Sequence, residues 1–202
     1  MVNHVTGDDV LAAVEHVRQV LEPAVERDWR VPIPGLEFTV ASVVAHVCVT
    51  CLWYSVDMWS GTENGAYEVS VVHDAPNERL LTSLVAGAHI LSAGIDAGPP
   101  MLRGFHPFGS PDPDGFAAMA CDELLVHGDD AARGLGVPFP SDDPRAASVL
   151  ARLFPWHHVD AGEAAWDVLR WANGRIELPG RPRVGRWRWH GAPLREWDGA
   201  AP

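Results

Sequence analysis

Residues 39–60 read "TVASVVAHVCVTCLWYSVDMWS", and the fold turns on this run. It is apolar nearly all round and opens on Thr39, a residue type that caps helix N-termini, so the pattern predicts a central, buried helix. A helix without a polar face needs apolar partners on several sides.

The flanking sequence supplies them. Before it, Val10, Val14, Val17, Leu21 and Val25 recur at helical spacing over 6–28, with Thr6 or Asp8 to cap the start and Pro23 to kink the last turn. "VPIPG" (31–35) separates the two. After "GTENG" (61–65) and a short extended piece, residues 74–98 give a third helix, with Pro76 in its first turn and Leu80, Leu84, Leu91 and Ile95 on its stripe. A long Gly/Pro-rich connection, "PPMLRGFHPFGSPDPDG" (99–115), leads into a fourth, "DGFAAMACDELLVHGDDAARGLG" (114–136), capped by Asp112 or Asp114 and ended by Gly134 or Gly136.

Four such helices predict an all-α protein with a four-helix bundle over residues 1–140. Residues 141–202 read as a C-terminal appendage packing on it. It holds a fifth short helix, a sixth opened by the capping-box spacing Asp160-x-x-Glu163 and closed near Gly174, and a small hairpin or extended strap over 174–197.

Composition narrows the function. A net charge of −12 argues against nucleic-acid and anionic-membrane partners, which need a surplus of cations. Every basic residue is arginine, which excludes Schiff-base lysine chemistry and a P-loop, and the Ala/Gly/Pro/Arg-rich composition is that of a GC-rich bacterial genome. No run reaches the 18 or so uninterrupted apolar residues of a membrane span, and the start goes straight into an amphipathic pattern unlike a secretory signal. With an odd count of three cysteines, the expected compartment is the cytoplasm.

Within the opening run, Cys48-x-x-Cys51 follows His46 by two residues. At about 100° per residue, His46 points about 200° from Cys48 and about 140° from Cys51, so the three cannot close on one metal. Redox pairs start helices, whereas these cysteines lie mid-helix in apolar surroundings; the motif reads as packing.

His46 depends on partners elsewhere. On the fourth helix, Glu123 and His127 stand at i, i+4 on a face that carries Phe116, Ala120 and Ala131 and should point inward. A carboxylate and an imidazole there either hydrogen-bond each other across one turn or bind a metal. With His46 from a facing helix they make a His₂Glu set with one coordination position open, as catalysis requires and a closed structural zinc site does not.

These residues, in this helix order, resemble the DinB-like superfamily, most closely its mycothiol-dependent maleylpyruvate isomerase N-terminal branch. The resemblance is carried by residues 28–54, with Trp29, the Pro-rich turn, Thr39-Val40 and His46, and by "DELLVHGDDAARGLG" (122–136), which looks like the family's E-x-x-x-H-x-x-D-x-A…L-G stretch. It covers residues 1 to about 137, and "LRWANGR" (169–175) matches a later helix loosely. The resemblance implies a DinB-like bundle with a divalent metal, usually zinc, on His46, Glu123 and His127. The open position would take the sulfur of a low-molecular-weight thiol such as mycothiol, in an isomerase or an S-transferase acting on a small electrophilic substrate. It implies a homodimer at the level of the family only. The sequence beyond the bundle lacks the second α/β domain of the full isomerase, which favours a transferase or another thiol-dependent activity over maleylpyruvate itself. A hydrolase on the same three residues and a non-catalytic small-molecule-binding protein are the alternatives.

Asp130, matching the motif's later acid, is either a partner behind His127 or a helix-surface acid. Alternating Arg186, Trp187, Arg188 and Trp189 read as a strap with tryptophans inward. His106 in the long loop, and His157 and His158 in "PWHH", read as exposed or packing residues. His73 shows no partner.

Overall fold

A computed structural model describes residues 4–63, 66–72 and 74–201. His73 lies outside the described residues. The chain forms six α-helices and, among those residues, no strand: α1 (Gly7–Leu21), α2 (Val40–Ser60), α3 (Asn77–Ala97), α4 (Pro113–Leu135), α5 (Asp143–Leu153) and α6 (Ala165–Ala172). Single-turn 3₁₀ segments follow α1 at Glu22–Ala24 and lie near the C-terminus at Leu194–Glu196.

α1 and α2 each pack against both α3 and α4, so α1 and α2 occupy one diagonal of a four-helix bundle and α3 and α4 the other. Helices across a diagonal need a long connection, and residues 22–39 supply it. This connection also finishes the start of α2. Its carbonyls at Val31 and Trp29 accept from the Val40 and Ala41 amides at 3.2 and 2.8 Å, two donors that a helix cannot satisfy internally. Trp29, buried, anchors the crossing and donates from Nε1 to the Ala24 carbonyl. Thr39 caps α2 by accepting from Ser42 N, and the Ser42 hydroxyl reciprocates at Thr39 N.

α2 and α3 are long and apolar enough to cross a membrane by length and composition alone. Here their apolar surface is packed against the bundle: Val40, Val44, Val47, Cys48, Cys51 and Met58 of α2 and Leu80, Leu84, Leu91 and Ile95 of α3 are buried. Cys48 and Cys51 are free thiols in that core, and Cys48 donates to the Leu80 carbonyl. Burial pushes the Cys48 thiol up to about 12, so the pair is inert packing.

α4 starts at Asp112, which accepts from Gly115 N at 3.0 Å, and stops at Gly136 in the left-handed region (φ 65°). α5 packs on α4, and α6 on α5. Arg152 of α5, with 1% of its side chain exposed, reaches the α4 cap at Asp112 (2.8 Å) and the carbonyl of His190 (3.1 Å). The Asp160-x-x-Glu163 spacing does produce its backbone contact, Asp160 N to Glu163 Oε2 at 2.9 Å. It closes only a turn, because Gly162 adopts φ 91°; α6 begins later, at Ala165. The tail is a strap and not a hairpin: its one ladder contact among the described residues is the isolated bridge between Leu178 and Arg181, and side-chain and backbone hydrogen bonds tie it to the bundle. Trp189 is buried and Arg186 and Arg188 are exposed, the orientation that alternation predicts.

Candidate functional site

α2 and α4 lie side by side and bring three side chains together: His46 from α2, and Glu123 and His127 one turn apart on α4. His46 Nε2 stands 3.3 Å and His127 Nε2 3.1 Å from the same atom, Glu123 Oε2. The imidazoles meet edge to face, with centroids 5.3 Å apart. Despite these distances Glu123 Oε2 is buried and accepts no well-formed hydrogen bond. The three ligand atoms lie within 4.8 Å of one another, close enough to share one ion. In a tetrahedral site with ligand bonds of about 2.0–2.1 Å, adjacent donors sit about 3.3 Å apart. The spacing and the N, N, O donor set fit a first-row divalent ion.

Electrostatics couple the same three residues in the metal-free site. Burial pushes the Glu123 carboxyl up, but His127 and His46 outweigh it and hold the group well below the usual carboxylate range. Burial likewise pushes His127 down, but Asp130 and Glu123 overcome it and raise the imidazole to about 9 in the metal-free site.

Asp130 is fully buried, which removes the surface reading. Its Oδ2 lies 3.2 Å from His127 Nδ1, while Arg175 Nη2 donates to Oδ2 at 2.9 Å and Arg133 Nη2 to Oδ1 at 2.8 Å. Burial raises the Asp130 carboxyl, and His127 and Arg175 outweigh it and bring it to about 2. An ionised Asp130 holding Nδ1–H leaves Nε2 as the nitrogen facing the centre, the one that would give up its proton to a metal.

A second layer lies beneath. Buried Tyr54 interacts with Glu123, and burial together with that carboxylate pushes the phenol well above its ordinary value, so it stays protonated and a donor. Asp122 turns away from the centre and accepts from Asn173 Nδ2 (2.8 Å) and Trp189 Nε1 (3.0 Å). His106 is half-buried, edge to face with Tyr54 and beside Trp189, and burial drives it down to about 4 against the opposing pull of Glu123. It packs and does not reach the three donors. His157 also packs, accepting from Trp156 Nε1 and stacking on Phe154.

Tyr54, Asn173, Arg175 and Trp189 were not singled out as site residues from the sequence. Tyr54 carried a signal, since it follows His46 by eight residues and so shares its side of the helix. Arg175 sits at the end of "LRWANGR", but nothing in its spacing names Asp130 as its partner.

Residues 10–132 match the mycothiol maleylpyruvate isomerase N-terminal domain family. The chain belongs to that family. It is therefore a DinB-like protein of a mycothiol-related enzyme family. No curated protein and no solved structure matches the chain. In this mycothiol maleylpyruvate isomerase N-terminal domain member, His46, Glu123, His127, Asp130 and Tyr54 fall inside the matched span, while Asn173, Arg175 and Trp189 lie beyond it.

Proposed function

We propose that the chain is a zinc-dependent thiol-transfer enzyme, an S-transferase or isomerase using a low-molecular-weight thiol such as mycothiol on a small electrophile. The observation that carries the reading is the convergence of His46 Nε2, Glu123 Oε2 and His127 Nε2, with Oε2 buried and without a hydrogen-bond partner. These three atoms would hold the metal. Bound there, zinc supplies one thing, a thiol pKa low enough to yield a thiolate nucleophile at neutral pH.

The chain's own residues do the rest. Asp130 fixes the His127 tautomer, and Arg133 and Arg175 keep Asp130 ionised. The Tyr54 phenol, kept protonated by burial and by Glu123, is a donor beside that carboxylate. The side chain of His46 is 48% exposed, which leaves the centre open to ligand on the side of α2. Such chemistry belongs in the cytoplasm, where small thiols are kept reduced, and three free cysteines suit that compartment.

Protein purified without chelator should carry about one zinc per chain by plasma mass spectrometry, the stoichiometry of a single His₂Glu site. His46→Ala and His127→Ala should each lose the metal and any thiol-transfer activity while staying folded. Metal retained in both variants refutes the site, and turnover indifferent to added thiol replaces thiol transfer with hydrolysis.

A further inference from the structure

His46 and His127 form part of the wall of a 410 Å³ cavity, within the range of about 300–1,000 Å³ typical of small-molecule sites. The rest of its wall is strongly apolar. Val43, Val49 and Trp53 follow His46's side of α2, Val69 and Val71 come from the non-helical segment at 66–72, and Phe38, 58% exposed, stands at the rim.

Polar groups on this wall are few. Ser42 is committed to capping α2, donating to the Thr39 carbonyl at 2.8 Å and accepting from Thr39 N at 2.9 Å. Among the described residues no arginine lines the cavity. Arg175 and Arg133, the cations behind His127, are bound to Asp130. The charge on this wall sits at one end, at His46 and His127, where the metal and the thiol would stand; a dicarboxylate filling the rest of the cavity would give up water against valine and tryptophan, which is strongly unfavourable. Glucosaminyl-inositol, the polar part of mycothiol, would leave most of its hydroxyls unpaired against valine and tryptophan. Two further polar groups stand on the wall: the Ser70 hydroxyl, and Trp53 Nε1, which is buried and lacks an acceptor.

We infer that this cavity binds the electrophile, and that the electrophile is an uncharged, largely apolar molecule with a carbonyl acceptor and not a dicarboxylate. The cavity's ligand class follows from its wall; its role as electrophile rests on the thiol-transfer reading above.

The test is a calorimetric titration of the full chain, as purified and after chelator treatment, with diethyl phthalate and with phthalate. These probes share a ring and differ in charge. The neutral diester should bind saturably and at least about tenfold more tightly than the dianion, a difference of about 1.4 kcal/mol. Phe38→Glu and Val71→Glu lie outside the helices; each should weaken diester binding by about tenfold or more, with the melting temperature recorded to verify folding. Absence of saturable diester binding, a chelator-treated protein that binds phthalate as tightly, or diester binding undiminished in both folded variants overturns the inference. Zinc content of the same samples separates the two ideas. One zinc without diester binding removes the cavity assignment and leaves the metal centre. Diester binding without zinc uptake upholds the cavity's ligand class and removes the thiol-transfer reading.

Discussion

Replacing Asp130 by asparagine preserves its size and removes the charge that faces His127 Nδ1, Arg133 and Arg175. Partners behind a ligating histidine are typically worth about 10–100-fold in metal affinity. Asp130→Asn should therefore weaken zinc binding by about that factor in competition with a chromophoric chelator, while the three donors remain in place. His106 gives a second, pH-dependent signature, set by burial against the opposing pull of the Glu123 carboxylate. With its pKa at about 4 in the fold against an ordinary 6.5, the unfolded chain takes up a proton that the folded chain refuses as pH drops below 6.5. Its contribution thus falls from pH 6.5 through about 4. In urea unfolding, His106→Leu should gain on the wild type by about 1 kcal/mol between pH 7.5 and 5, allowing for partial exposure of the ring. At this scale the sequence was informative where chemistry and helical period coincide. Glu123 and His127 share a face by spacing alone, and His46 follows from a facing helix. Arg175 was illegible because its partner is 45 residues away and contact across elements leaves no periodic trace.

Among the elements, the start of α4 bears the most. Asp112 caps the helix and also neutralises buried Arg152. Losing the cap costs about 1 kcal/mol, and stranding a buried charge costs about 3–5 kcal/mol. Since Asp114 stands 3.7 Å from Arg152 Nε and offsets part of the loss, Asp112→Ala should destabilise the protein by about 3–5 kcal/mol in all, read as a lower urea midpoint at unchanged slope. Helix ends were legible where capping chemistry is local, as at Thr39, Asp112 and Gly136. At α6 the same logic misleads: Asp160 and Glu163 pair as a capping box does, yet Gly162 between them takes a left-handed conformation and delays the helix to Ala165. A capping pattern records side-chain hydrogen bonds, and the backbone between them decides whether a helix follows.

For the whole molecule, the bundle is legible and the dependence of the site on the tail is not. Alternating Arg and Trp over 186–189 predicts which side faces in, but not that Trp189 would donate to Asp122, next in sequence to Glu123, across 67 residues. A chain ended at Gly174 keeps His46, Glu123 and His127, yet it loses Arg175 from Asp130 and Trp189 from Asp122. It should melt lower, losing about 3 kcal/mol or more of stability for the buried tryptophan alone, and under the proposed zinc reading should lose the metal on gel filtration under conditions where the full chain keeps it.

Those two tail contacts also impose an order on biosynthesis. A ribosome delivers His46, Glu123 and His127 well before Arg175 and Trp189, so a nascent chain presents the three donors while the supports of Asp130 and Asp122 are still unmade. The supports of the three donors would then be complete only once residues 175–189 have emerged, and a chain stalled or clipped before them would carry His46, Glu123 and His127 without those contacts.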